Sequence, residues 1–269
     1  MTKPRPIIQP DFWERRLAGT PGRFGIYAKN LRTGRATCYH EDEVFPSASL
    51  IKVPIMIEAF RRFEEEGTSL DALLTMRAED QVDGSGVLRD LTPGTAYSIR
   101  DLTTLMISVS DNTATNLLID HFGTAAVNLT LRRLGARHTE LVRKLQRVPV
   151  DRPTANRTTA WDMALLMERL ATGTAISEAV SRQMVDMLTR CQGRLSIGPA
   201  GSPASFFGQP PAVTAAHKTG SLSDARHDAG IVYTPQIAYI AAILSAGAPA
   251  AVLEKAITRI GRLLPRMLR

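Results

Sequence analysis

Strand-like and helix-like periodicities are segregated along this 269-residue chain, and that segregation limits the folds open to it. Phe24 to Asn30 (FGIYAKN) and Arg35 to His40 (RATCYH) read as two β-strands joined by a short turn at Arg32-Thr33-Gly34. Val213 to Thr219, His227 to Thr234 and Gln236 to Ser245 read as three more, close to the other end. Between the two groups the pattern is helical. Helices are predicted from Ser49 to about Glu66, on either side of Ser110-Asp111-Asn112, and over Ala125 to Leu134, Ala160 to Leu170 and Ser177 to Cys191. Pro249 to Arg269 reads as a terminal helix. Strands at both ends around a helical middle predict an α+β protein: one antiparallel sheet of about five strands, flanked by helices and interrupted by an all-α insertion. Residues 1–46 and 205–269 would form the α/β part, and 47–204 the helical part. The Gly-, Pro- and Ser-rich stretch from Ser196 to Pro211 suits a connector between them.

Composition removes several classes. The chain is 44% hydrophobic, which argues against disorder, and no run approaches the roughly 18 apolar residues of a membrane span. The N-terminus (MTKPRPIIQPDFWERR) has no apolar stretch resembling a secretory leader, so the compartment is open between cytoplasmic and trimmed periplasmic or secreted forms. Cys38 and Cys191 are far apart and make no metal-ribbon or disulfide framework. The five histidines show no metal-ligand spacing, so neither a metal nor another cofactor is expected. The net charge of +7 raises the question of nucleic acid, but arginine is spread along the chain and aromatics are only 6%, so nucleic-acid binding is not favoured. Nothing calls for more than a monomer. Only six of the 33 basic residues are lysines, so the place of each lysine carries information.

Three short segments carry chemistry. Ser49-Leu50-Ile51-Lys52 puts a hydroxyl and an amine one helical turn apart, amid apolar Leu50, Ile51, Val53, Pro54, Ile55 and Met56. A serine hydroxyl is a weak nucleophile until a neighbour takes its proton, and a buried lysine can be that neighbour. Ser110-Asp111-Asn112 breaks two helices; it can serve as a helix cap, or supply a second hydroxyl and an amide to a site. His217-Lys218-Thr219-Gly220-Ser221 ends a predicted strand, where a cation, backbone N–H groups and a glycine allowing close approach could edge a cleft.

S-x-x-K, S-D-N and K-T-G in this order resemble the motif set of class A β-lactamases and penicillin-binding proteins. Ser49, Ser110 and Lys218 are separated by 61 and then 108 residues, similar to the class A layout. The stretches RDLTTLMISVSDNTATNLLID, NRTTAWDM and HKTGSLSDARHDAGIV also resemble that family, and the likeness runs from about Phe24 to the C-terminus. It implies a class A β-lactamase-like fold and an acyl-serine mechanism on a β-lactam or peptidoglycan-like small molecule. By the same resemblance Ser49 is the nucleophile, Lys52 the base or its partner, and Ser110 a proton relay. Asn112 would hold the substrate amide, Lys218 and Thr219 its carboxylate, with Gly220 and Arg226 beside them. The backbone N–H groups of Ser49 and Ser221 would form the oxyanion hole.

The resemblance fails at one place that matters. The family's omega-loop glutamate, which activates the deacylating water in class A β-lactamases, falls at Leu145, and leucine cannot act as a base. Glu140 and Asp151 are the nearest acids. An acyl-enzyme could therefore form and persist, as in a penicillin-binding D,D-peptidase or a penicillin-recognising module that stays acylated. Two further expectations concern the strands after K-T-G. The turn from Leu222 to Arg226 looks long, which could aim Arg226 away from a substrate. His217 should face away from Lys218 and be packed, and Asp228 should fix local structure.

Overall fold

The structure, a computed structural model, describes residues 10–145, 154–199 and 213–269. Helix α1 (Pro10–Leu17) leads into strands β1 (Arg23–Asn30) and β2 (Ala36–Tyr39), then a two-residue strand β3 (Phe45–Pro46). A 3-10 turn over Ala48–Ile51 runs directly into α2 (Lys52–Glu66). After β4 (Leu73–Thr75) and β5 (Ala96–Ser98) come α3 (Ile99–Ser108), α4 (Asn112–Phe122) and α5 (Thr124–Leu134). Strand β6 (Arg157–Thr158), α6 (Ala160–Ala171) and α7 (Glu178–Thr189) precede the long strands β7 (Thr214–Leu222), β8 (Ala225–Tyr233) and β9 (Ala238–Ala246), and α8 (Ala250–Met267) follows.

The five-stranded antiparallel sheet is assembled from both chain ends in the order β2-β1-β9-β8-β7. β9 lies at its centre and reads as a nearly unbroken apolar run because both of its faces are covered. Tyr239, Ala241 and Ile243 pack with Trp13, Leu253, Ile257 and Ile260 of α1 and α8. Ile240, Ala242 and Leu244 alternate with them and join the larger core of Leu50, Ile51, Met56, Leu118, Met163 and Leu166. The helical middle of the chain and the terminal helices thus sit on opposite faces.

Local signals set many boundaries. Ser98 caps α3, accepting from the Asp101 N–H at 3.0 Å while its hydroxyl donates to the Asp101 carboxylate at 2.7 Å. Asp111, Thr159 and Ser177 cap α4, α6 and α7 in the same way, each accepting from a backbone N–H of the first turn. Several expectations need correction. β7 does not stop at Thr219: its pairing with β8 continues to Leu222 opposite Ala225, so K-T-G-S lies within the strand. The turn to Arg226 is therefore short, with only Ser223 and Asp224 between paired residues. Ser49 belongs to a 3-10 turn, and the α-helix proper begins at Lys52. Helix α1 and the small pairs β3–β6 and β4–β5 go beyond what the periodicities predict. Most of the predicted connector, 200–211, lies outside the described residues, but its start is anchored: Ser196 and Ile197 N–H groups donate to Asp228, and Tyr239 donates to the Ile197 carbonyl. Cys38 and Cys191 form no disulfide. Among the described residues no helix is long and apolar enough to cross a membrane, and no cluster of His, Cys, Asp and Glu could hold a metal ion.

Candidate active site

The three motifs meet at one end of α2. Lys52 is fully buried at its first residue, and its Nζ donates to the Ser110 carbonyl at 2.6 Å, the Ser110 Oγ at 3.0 Å and the Asn112 Oδ1 at 2.9 Å. Ser110 can reach the amine twice because it adopts a left-handed backbone (φ +57°) between α3 and α4. Such a conformation in a non-glycine residue is sparsely populated, and the contacts to Lys52 hold it there. Asp111 turns the other way. Its carboxylate caps α4 through Ala114 N–H and also accepts from the N–H groups of Val87 and Leu88 at 2.7 and 2.9 Å. Asp111 is thus the helix cap, while Ser110 and Asn112 are the residues of S-D-N that contact Lys52.

Burial and the nearby Lys218 charge push the Lys52 amine well below its ordinary value. No ion pair offsets this among the described residues. The amine is thus set up to lose a proton. Once neutral it keeps two N–H donors, and the Ser110 hydroxyl can turn to donate to its lone pair. Lys218 is also buried, and burial lowers its affinity for a proton. Among the described residues it makes one hydrogen bond, a donation to the Thr219 carbonyl at 3.1 Å, which leaves its capacity for an anion largely unused.

β7 is the edge strand and passes tightly over the turn that carries Ser49. A Cβ placed on Gly220 would lie 3.2 Å from both the Ala48 Cβ and the Ser47 carbonyl, so that approach depends on glycine. Ala48, immediately before the serine, is itself left-handed (φ +45°). The turn is held from two sides: the Ser47 N–H donates to the Asn156 carbonyl at 2.7 Å, and His227 Nε2 meets the Pro46 carbonyl at 2.8 Å.

These elements border a cleft of about 330 Å³. Its floor is Ser47 to Ser49. One wall is Asp83, Gly84, Ser85 and Asn112, another is Arg143, Lys144, Leu145 and Asn156, and Ser221 and Leu222 close the β7 side. Of the residues singled out from sequence, Ser49, Asn112 and Ser221 line the cleft directly. Lys52 and Ser110 join it through Asn112, and Lys218, Thr219 and Gly220 lie on the strand that flanks it. Arg226 is not brought in: its guanidinium donates to the carbonyls of Leu222 and Ala225 and closes the hairpin. His217 is buried with Nδ1 2.8 Å from Asp228, as its place on the strand predicts. Glu140 pairs with Arg157 at the base of the loop, away from the cleft lining. Asp151 lies outside the described residues.

Two parts of the site escape a reading of the sequence. The Asp83-Gly84-Ser85-Gly86 wall is pinned by Asn112, whose N–H donates to the Ser85 carbonyl and whose Nδ2 donates to the Asp83 carbonyl. The closely spaced glycines are its turn signal. The loop wall is held by three asparagines. Asn128 bonds both polar backbone groups of Leu141; Asn156 accepts from Val142 and Arg143 N–H and donates to the Arg143 carbonyl; Asn116 bonds both backbone groups of Leu145 at 2.8 Å. Asn116 stands one helical turn beyond Asn112 on α4, the spacing that puts two side chains on one face.

Comparison with known proteins decides the family. The model of the beta-lactamase enzyme family matches residues 12–268. The chain belongs to that family. Among its relatives, a Streptomyces cellulosae beta-lactamase is 31% identical over 222 residues, covering 79% of this chain and 68% of that protein. A Streptomyces albus G beta-lactamase is 34% identical over 140 residues, which is 48% of this family member and 45% of the relative. Among solved structures, a beta-lactamase from Sphaerobacter thermophilus DSM 20745 superposes with a TM-score of 0.84 at 33% identity, covering 93% of this chain and 92% of the other. A protein described as PBP-A gives 0.83 at 27% identity over 98% and 100%. A point mutant of PBP-A, described as an acyl-enzyme complex with penicillin G, gives 0.83 at 26% over 99% and 100%. The α+β class A β-lactamase-like fold anticipated from the motifs is the fold found.

Proposed function

We propose that this family member is a serine hydrolase that opens the amide of a β-lactam, or of a peptidoglycan-like acyl compound, through an acyl-serine at Ser49. The observation that carries the reading is the buried Lys52 amine, bonded to Ser110 and Asn112 one turn from Ser49 at the floor of the cleft. Ser49 Oγ attacks the substrate carbonyl while its proton passes to the neutral Lys52 amine. Ser110, in contact with that amine, relays a proton to the leaving nitrogen; the C–N bond breaks and an ester to Ser49 remains. Backbone N–H groups of Ser49 and Ser221 receive the developing oxyanion, Lys218 and Thr219 take the substrate carboxylate, and Asn112 takes the side-chain amide. Hydrolysis of the ester by water returns the serine.

A specific observation favours a slow last step. Leu145 lines the cleft, its backbone fixed by Asn116, and it offers no base to a deacylating water. A long-lived acyl-enzyme, as in a penicillin-binding D,D-peptidase, is therefore the second reading. The solved PBP-A mutant described as an acyl-enzyme complex with penicillin G is a precedent for an acylated state in this fold. Following intact mass with a penicillin beside turnover of a chromogenic cephalosporin separates the readings. Turnover with transient acylation establishes the hydrolase, a lasting adduct on Ser49 without turnover establishes the second reading, and no adduct with no turnover overturns both.

A further inference from the structure

α8 carries a one-sided cationic stripe on the molecular face opposite the cleft. At about 100° per residue, Lys255, Arg259, Arg262 and Arg266 fall within an arc of about 60° along about 16 Å of helix. All four are exposed, as is Arg269 just beyond the helix end. Leu253, Ile257, Ile260 and Leu264 occupy the opposite arc and are buried against β9 and α1. The helix contains one acid, Glu254, which lies to the flank of the stripe and pairs with Arg194 at 3.2 Å. No carboxylate pairs with any of the five basic residues among those described. With Glu254 counted against them, they carry +4 of the chain's net +7. Arg259 donates to the Arg16 carbonyl, so α1 adjoins one end of the stripe, where its exposed Arg15 and Arg16 are balanced by exposed Asp11 and Glu14.

We propose that this stripe docks the protein electrostatically on an anionic lipid surface. Charge complementarity selects an anionic occupant, and the lack of a stacking partner favours lipid over nucleic acid within that class. The cations lie along one face of a single helix, and α8 carries no aromatic side chain on which bases could stack. Half-buried Leu263 and Met267 pack against the core beneath the helix. The apolar face of α8 is committed to the sheet, so binding does not require insertion and is governed by screened charge. Because the Ser49 end of α2 packs on the other face of the sheet, a docked molecule keeps its cleft open to solvent.

The test is sedimentation of the full chain with vesicles of phosphatidylcholine alone or with about 30% phosphatidylglycerol, across a salt series. Binding is expected only to the anionic vesicles and should fall as salt rises. The triple variant Lys255→Glu, Arg262→Glu, Arg266→Glu should bind at least about 100-fold more weakly, from a factor of about five per basic charge lost with the added repulsion of each glutamate on top. A charge-matched variant away from α8, Arg132→Glu, Arg137→Glu, Arg182→Glu, should keep most of the binding. Acylation by a penicillin and thermal melting check that both variants are folded. Absent binding to anionic vesicles at low salt, equal binding to neutral vesicles, equal losses in the two variants, or tighter salt-matched binding to duplex DNA would each overturn the proposal.

Discussion

Replacing His227 with glutamine should make the protein less sensitive to acid, by an amount the structure specifies. The imidazole is fully buried between β7, β9 and the turn before Ser49. Its Nε2 donates to the Pro46 carbonyl at 2.8 Å and its Nδ1 accepts from the Ser245 N–H at 3.1 Å. Those two bonds require the neutral ring, because a second proton would point an N–H at the N–H of Ser245. Burial accordingly pushes the ring's pKa from 6.5 to about 4. In the unfolded chain it returns to its ordinary value. Between pH 4 and 6.5 the unfolded chain therefore binds more protons, and stability falls as pH drops through that window. Integrating the shift gives about 2.5 kcal/mol lost between about pH 7 and about pH 4.5 from this residue alone. Glutamine can still donate to Pro46 but does not titrate. Urea unfolding at about pH 7, 5.5 and 4.5 should show the stability gap between wild type and His227→Gln changing by about that amount in the variant's favour. A gap independent of pH would refute the argument that a neutral buried ring anchors this turn.

Other outcomes follow from the same contacts. Lys52→Met should slow acylation by about 10²- to 10⁴-fold, the usual worth of a positioned base, yet leave urea stability unchanged or raised because a buried amine without a counter-charge is removed. The wild-type acylation rate should rise with pH and level off well below pH 10.5, since the folded amine releases its proton early. Gly86→Ala should cost about 2 kcal/mol or more in melting experiments and slow acylation, because its φ of +112° is unfavourable for alanine and the added Cβ would fall 2.3 Å from the Asp111 carboxylate. Asn116→Ala strips both bonds from the Leu145 backbone and should cost about 2 kcal/mol by urea titration.

The candidate site groups are readable from sequence because each motif is local. Ser49, Lys52, Ser110, Asn112 and Lys218 sit in segments whose order and spacing are distinctive, and the strand groups at the chain ends announce the sheet. What escapes is set by distant partners. Gly220 looks like a strand stop on its own, but pairing with β8 carries β7 through it to Leu222. The asparagine grip on Leu141 to Leu145 joins residues 13 to 29 positions apart, and nothing in a polar residue on a helix announces which loop it will hold. Arg226 looks available for a carboxylate, yet the short hairpin places two carbonyls within its reach first. The arginine-rich terminal helix reads as an ordinary wet face. Helical spacing groups the basic residues on one side, and the packing of the opposite side on the sheet shows that this side faces outward.

Acylation of Ser49, with release delayed by Leu145, is open to direct measurement. Timed intact-mass spectra with benzylpenicillin, taken for wild type and Leu145→Glu after removal of excess drug, test it directly. A single adduct mapping to Ser49 should form and clear faster in Leu145→Glu than in wild type. A wild-type adduct that clears as fast as the variant's, or a wild-type mass that never changes, would contradict it.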